Sequence, residues 1–281
     1  IDNPNLNIGS EAFRACPMLA SVTLNCLNVC PNAFSDCTRM QTLDITALCV
    51  MDEAFSGCYG LQQTSFTVRG SIGRNVFTGC TGEVNINKWN NQPSSIDENA
   101  LFNAGFTVIN YNAPELTDYA IMGMPNLTTV NFKGTKRFTS RPVFYGCPSL
   151  KTFTMAESEG FKVEDNVIYT ADGSTLVLTP PAKVEYAPIP ATVRTIRSGA
   201  ITSPQVVLDF SQIPVTPTFD APSTNTLPTI IIANMAQDFS AVTNSYKKPR
   251  VLYVAGTKPT DVTVDGKTTV LDAVKAIEGL K

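Results

Sequence analysis

The stretch Ala-Phe-x-x-Cys recurs down the first half of this chain, and its spacing decides most of what the chain can be. It stands at residues 12–16, 33–37 and 54–58, with Val76–Cys80 and Val143–Cys147 as near copies. Phe13, Phe34, Phe55 and Phe77 follow one another at intervals of 21, 21 and 22 residues. Other apolar positions keep step with them. The first unit reads Ile8, Phe13, Cys16, Leu19, Val22, Leu24 and the second Val29, Phe34, Cys37, Met40, Leu43, Ile45. The third reads Val50, Phe55, Cys58, Leu61, Thr64, Phe66. A fourth, Ile72, Phe77, Cys80, resumes two residues early at Val84 and Ile86. Ile96, Leu101 and Ala104 make a degraded fifth. Leu116, Ile121, Met124, Leu127, Val130 and Phe132 make a sixth, and Thr139, Phe144, Cys147, Leu150, Phe153 and Met155 a seventh.

A fixed period of this length marks a solenoid, in which each unit is one coil. One coil has too few apolar side chains to cover its ordering entropy, so coils stabilise one another by stacking. The alternation Val22-Thr23-Leu24 puts these residues on a short strand. Successive strands then form a parallel sheet with about 4.8 Å between neighbours. The Ala-Phe-x-x-Cys-x-x-Leu part has the spacing of one or two helical turns. The expected fold class is therefore an α/β solenoid with short parallel strands, short helical turns and a spine of phenylalanine rings.

The cysteines fit this picture better than they fit a disulfide framework. Cys16, Cys37, Cys58, Cys80 and Cys147 hold the same position of five repeats, so their side chains run parallel. Neighbouring Cβ atoms about 4.8 Å apart lie outside the roughly 3.5–4.5 Å a disulfide needs. A buried thiol column is expected, each thiol acting as a small hydrophobe. Cys26, Cys30 and Cys49 are off-register, and Cys30–Cys49 and Cys26–Cys49 are the pairings left open. Metal-ligand spacing is missing, since no Cys-x-x-Cys pair occurs. No cofactor and no metal are expected.

Composition narrows the function classes. Histidine is absent, which removes Ser-His and Cys-His nucleophile activation and His-ligated zinc. Net charge is −3 and no basic cluster exceeds Lys247–Arg250, so nucleic acid and anionic membrane surfaces are not expected partners. No run approaches the roughly 18 apolar residues of a membrane span. The chain starts at Ile1 without a charged-then-apolar leader, which fits a removed signal or a trimmed end.

The sequence divides into three. Residues 1–158 carry the repeats. Residues 159–211 hold a hairpin around Asp172-Gly173 and one further repeat with Ile196 and Ile201 at its key positions. Residues 212–281 begin with a Pro/Thr-rich stretch that reads as a surface connection. They end in a cap, with a small separate domain as the alternative, that contains the apolar runs 229–234 and 250–256 and an amphipathic helix over 269–281.

The Ala-Phe-x-x-Cys-x-x-Leu-x-x-Val-x-Leu pattern resembles the BspA-like leucine-rich repeat family of surface and secreted proteins. Ile8–Leu24, Tyr145–Met155 and the hairpin-then-repeat unit over 165–201 carry the resemblance, which spans roughly residues 8–210. Departures are expected at 88–115, where a Trp-containing spacer replaces a coil, and after 212. The resemblance implies a right-handed leucine-rich-repeat-like stack, a secreted or cell-surface location and a binding role. Some members of the family adhere to matrix proteins such as fibronectin and fibrinogen.

The middle residue of each strand faces outward, so Thr23, Asp44, Ser65, Asn85, Asn131 and Thr154 form one column. Ser21, Thr42, Gln63, Thr129 and Thr152 flank it. This broad face of short polar side chains is the candidate ligand site, with Trp89 of the spacer as a further candidate contact. The favoured function is a non-catalytic adhesion module, a monomer that binds a host matrix or surface protein or a glycan. The alternative is a carboxylate-dependent glycan-active enzyme, with 157–160 and 163–165 as carboxylate sources. That reading requires a concave pocket with two carboxylates about 5–9 Å apart. An ice-binding Thr ladder is disfavoured by the mixed column.

Overall fold

The computed structural model describes residues 1–87, 95–96, 101–116, 121–138, 143–156, 160–182, 186–202, 207–220, 230–234, 236–239 and 250–254. It divides into two compact units, residues 1–159 and 160–281.

In the first unit the repeats stack as coils of a solenoid. Its main sheet runs in the order Asn7–Ile8, Ser21–Val29, Thr42–Val50, Gln63–Val68, Thr81–Asn87, Gly105–Asn112, Thr129–Phe132 and Thr152–Met155. Every pairing along it is parallel. Alternate residues point inward. Val22, Leu43, Thr64, Val84, Ile109, Val130 and Phe153 form one buried column, and Leu24, Ile45, Phe66, Ile86, Tyr111 and Phe132 the next. The aliphatic positions make their own ladder. Ile8 pairs with Val29, Val29 with Val50, Val50 with Ile72, and Ile72 with Ile96. Leu116 and Phe138 continue the pattern as a separate parallel pair. The seventh coil thus uses Phe138 and not Thr139, one residue earlier than the sequence spacing places it.

The phenylalanine spine is present. The rings of Phe13, Phe34, Phe55 and Phe77 stack with centroids 4.9, 5.2 and 5.9 Å apart and planes within 10° of parallel. Phe34, Phe55 and Phe77 are buried. Phe13, in the first coil, keeps 37% of its surface exposed. Beside it lies an apolar depression of about 170 Å³, with Ile1, Phe13, Leu19, Val22, Leu24 and Phe34 in its wall.

The helical turns expected over Ala-Phe-x-x-Cys are not there, and among the described residues there is no helix. The hydrogen bonds show why. The N–H groups of Asn32, Phe34 and Asp36 donate to the carbonyls of Asp52, Ala54 and Ser56 in the next coil, at 3.2, 2.8 and 2.8 Å. The N–H groups between them, of Ala33, Ser35 and Cys37, close i→i−3 turns onto Cys30, Asn32 and Phe34. Glu11, Phe13 and Ala15 repeat the scheme, as do Glu53, Phe55 and Gly57. Half the backbone donors therefore run along the stack, which an α-helix forbids. The alternation needs a left-handed residue two before and two after each phenylalanine. Glu11, Asn32, Glu53 and Asn75 hold the first place with φ of 55–58°, and Ala15, Asp36, Gly57 and Gly79 the second with φ of 52–78°.

This geometry also explains the thiol column. The Phe34 carbonyl accepts the Cys37 N–H of its own coil at 3.4 Å and the Cys58 Sγ of the next at 3.3 Å. The Phe55 carbonyl likewise takes the Cys58 N–H and the Cys80 Sγ. Cys37 donates to Phe13, and Cys147 to Ile121. Cysteine fits because it is a small apolar residue that still brings one weak donor to a carbonyl lone pair. Burial pushes the Cys37 and Cys147 thiols up to about 11 and raises Cys80 strongly. All eight cysteines are free, so neither off-register pairing is formed. Cys26 lies opposite Ala47, and Cys49 opposite Asn28.

The spacer expected to replace the fifth coil supplies one instead. Gly105–Asn112 fills the sheet between Thr81–Asn87 and Thr129–Phe132. Its turn carries Leu101 and Ala104, both fully buried, at the Phe and Cys positions. A register shift at Gly82/Glu83 absorbs the length difference between the fourth and fifth coils. Gly82 is required there: its φ is 83°, and an added Cβ would overlap the Gln62 backbone.

The second unit opens with three antiparallel strands, Phe161–Glu164, Val167–Thr170 and Thr175–Leu178. Asp165 and Asn166, with φ of 48° and 62°, make the first turn in the primed geometry that hairpins prefer. Asp172-Gly173 makes the second, as the sequence predicts. Thr175–Leu178 then pairs in parallel with Thr195–Ile196, and Thr195–Ile196 with Thr218–Phe219. Tyr186–Pro188, Val207–Asp209, Ile230–Asn234 and Arg250–Val254 form a parallel four-stranded sheet. The stretch read as a Pro/Thr-rich connection thus supplies a strand, and the two apolar runs assigned to the cap continue the parallel stacking. The core holds Val167, Leu176, Ile196, Leu208, Phe210 and Ile231. The helix expected over 269–281 lies outside the described residues.

Candidate functional site

Because strand residues alternate, each inward core residue fixes an outward neighbour. The outward column runs in register as Thr23, Asp44, Ser65, Asn85, Asn110, Asn131 and Thr154. The structure thus brings together all six column residues expected from the sequence and adds Asn110. Asn110 was legible in principle, because Asn110-Tyr111-Asn112 repeats the alternation of Asn85-Ile86-Asn87 one coil earlier. A flanking column reads Ser21, Thr42, Gln63, Glu83, Val108, Thr129 and Thr152. Trp89 lies outside the described residues.

Side-chain hydrogen bonds split the column in two. In one half the amides are committed to each other. Asn110 Nδ2 donates to Asn85 Oδ1 at 2.7 Å and also to Glu83 Oε1. Asn131 Nδ2 donates to Asn110 Oδ1 at 2.7 Å, and Thr154 Oγ1 donates to Asn131 Oδ1 at 2.5 Å. Carboxamides suit such a ladder because each carries both a donor and an acceptor.

The other half has no such ladder, and a depression of about 180 Å³ lies there. Its walls are Thr23, Thr42, Asp44, Gln63, Ser65 and Asn85. Val22, Leu43 and Thr64 contribute their backbone to its floor, since their side chains are buried on the other side of the sheet. Thr42 Oγ1 donates to Ser21 Oγ at 2.7 Å, and Ser65 Oγ accepts from Asn87 Nδ2 at 3.2 Å. Among the described residues, no hydrogen bond or ion pair reaches the side chains of Thr23, Asp44 or Gln63. No lysine or arginine lines the depression.

The arrangement does not meet the requirement of a two-carboxylate glycosidase. Asp44 is the one carboxylate in the wall. Glu83 is two strands away and in the flanking column, tied to Asn110. The carboxylates of 163–165 are placed by structure and not by chemistry: Glu164 pairs with Lys162 at 2.9 Å, and Asp165 sits in the hairpin turn. Residues 157–159 lie outside the described residues.

A family model described as BspA type leucine rich repeat region matches the chain in six copies, over residues 1–104 and 49–170. Three solved structures resemble the chain. A pneumococcal vaccine antigen, PcpA, is 13% identical with a TM-score of 0.38, covering 98% of this chain and 82% of that one. A leucine-rich cell surface protein from Faecalibacterium prausnitzii is 18% identical with a TM-score of 0.39, covering 94% and 80%. A leucine-rich repeat protein from Eubacterium ventriosum is 13% identical with a TM-score of 0.36, covering 76% and 65%. No curated protein matches the chain.

Proposed function

The chain belongs to the BspA type leucine-rich repeat family, and from that premise we propose that it is a non-catalytic binding module. It acts outside the cell or at a cell surface, as a monomer, and receives a host matrix or surface protein or a glycan on its polar sheet face. The observation that carries this reading is the split in the outward column. The core columns take the inward apolar residues of each coil, and the amide ladder ties up about half of the outward column. Thr23, Asp44 and Gln63 are left around a depression with their hydrogen-bonding capacity unspent. All three side chains are exposed, so their donors and acceptors are held by solvent alone, and at a concave place they are open to a ligand that displaces it.

The test is surface binding to immobilised fibronectin, fibrinogen and a glycan array, with the parent chain beside the triple variant Thr23→Ala, Asp44→Asn, Gln63→Ala. A ligand that holds the parent and loses the variant at least tenfold, with an unchanged circular dichroism melt, supports the reading. Equal retention of both forms by every ligand, or retention of neither form by any of them, removes the face from the function.

A further inference from the structure

We propose, resting on the binding-face reading above, that the depression around Asp44 seats one basic side chain, a lysine or arginine, of a protein partner lying across the sheet. Charge is the first argument. Asp44 is the one carboxylate in the wall, and it stands exposed among hydroxyls and amides with no cation lining the depression. A carboxylate only accepts hydrogen bonds, so the group that completes it must bring donors, and a cation brings the strongest. An anionic ligand would meet repulsion there and find no counter-charge.

Size is the second argument. At about 180 Å³ the depression is smaller than the roughly 300–1,000 Å³ of sites that enclose a whole small molecule. It holds the end of one side chain, not a ligand entire. The floor is strand backbone and the rim is short side chains, so an extended segment can lie flat while one long side chain reaches down. Thr23 and Gln63 sit beside Asp44 and supply acceptors for the donors a guanidinium keeps free after pairing with the carboxylate. No aromatic ring lines the depression to offer a flat apolar platform. This favours a cation over a neutral sugar.

The experiment follows backbone amide signals of the isotope-labelled full chain by NMR. The probes are acetyl-Gly-Arg-Gly-amide, its neutral citrulline counterpart and the trisaccharides maltotriose and cellotriose. The arginine peptide is expected to move Thr23, Asp44 and Ser65 at millimolar concentration, and the citrulline peptide to move them at least fivefold less. Asp44→Asn is expected to weaken the arginine peptide at least fivefold. Glu53→Gln, which removes a carboxylate on the turn edge, leaves its binding unchanged. Equal effects of arginine and citrulline, or an unchanged affinity in Asp44→Asn, overturn the assignment. Movement of these signals by a trisaccharide and not by the arginine peptide also overturns it, while the binding-face reading stands. If no probe moves them and no matrix protein or glycan is retained, both readings fall.

Discussion

The phenylalanine spine makes a prediction that depends on position along the stack. Phe55 has no exposed surface and stacks on a ring to either side, Phe34 at 5.2 Å and Phe77 at 5.9 Å. Cutting it back to alanine removes the transfer free energy of a whole ring and leaves a closed void between two coils. The expected cost of Phe55→Ala is about 3–5 kcal/mol. Phe13 is chemically the same residue at the same place in its coil, but 37% of it is exposed and its one stacked neighbour among the described residues is Phe34. Its removal opens onto solvent and leaves no closed void, so Phe13→Ala should cost about 1–2 kcal/mol. Phe55→Leu keeps most of the volume and should cost less than about 1.5 kcal/mol. Urea unfolding followed by circular dichroism measures all three, read as shifts of midpoint at constant slope. In a thermal melt the losses correspond to about 2–4 °C per kcal/mol for a unit of this size. Equal losses for Phe13→Ala and Phe55→Ala would refute the reasoning, because they would mean that ring removal acts without regard to closure of the stack. A changed slope in Phe55→Ala alone would show that the coils on either side of it unfold separately.

Two further predictions rest on single polar groups. Thr64 occupies the column otherwise held by Val22, Leu43, Val84, Ile109, Val130 and Phe153, and its Oγ1 is buried with no hydrogen-bond partner among the described residues. Thr64→Val should stabilise the first unit by about 1–2 kcal/mol, measured by the same urea titration, since it removes an unpaired hydroxyl at nearly constant shape. Asp172 accepts hydrogen bonds from Thr170 Oγ1, Ser174 N and Ser174 Oγ at 2.6–2.9 Å, which hold its carboxyl at about 2. A folded-state value below the unfolded one means the stabilisation is complete above about pH 4 and lost as pH falls towards 2. The hairpin amides should therefore exchange hydrogen faster across that window in the parent and show no such acid step in Asp172→Asn.

Much of the fold was legible because stacking repeats the same demand every coil. The alternation at Val22-Thr23-Leu24 fixed both the strand and the face, and the interval between phenylalanines fixed the spine. Spacings of three suggest a helical turn, but they also arise from i→i−3 turns. The distinguishing signal was the residue just before the cysteine or its equivalent: in six of seven coils it is Asp36, Gly57, Gly79, Asn103, Gly123 or Gly146, all at positive φ, with Ala15 in the first coil the exception in residue type. Glycine, asparagine and aspartate recur there because they tolerate the left-handed region, which an α-helix never visits. The strand Thr218–Phe219 was hidden by surrounding prolines, although Phe219 follows Ile196 at a coil's distance and pairs with it. Composition describes a segment on average, while a coil needs only two residues in the right register to add a rung.

The candidate site was legible as a column but not as one half with hydrogen-bonded side chains and another without the ladder. That division depends on which side chain stands beside which, one coil apart. An amide can accept from one neighbour and donate to the other, so Asn85, Asn110 and Asn131 continue one another along the stack. A carboxylate can only accept, so the ladder cannot pass through Asp44. The ladder stops at Asn85, whose Nδ2 donates to the Thr64 carbonyl at 3.5 Å, and Asp44 lies beyond it between Thr23 and Ser65. There it leaves an acceptor exposed beside the depression on this polar face. The stability of the stack does not need an aspartate there, since the inward neighbours Leu43 and Ile45 carry the packing. A residue that the fold does not require, beyond the end of the fold's own hydrogen-bonded ladder, is free to vary without loss of the stack.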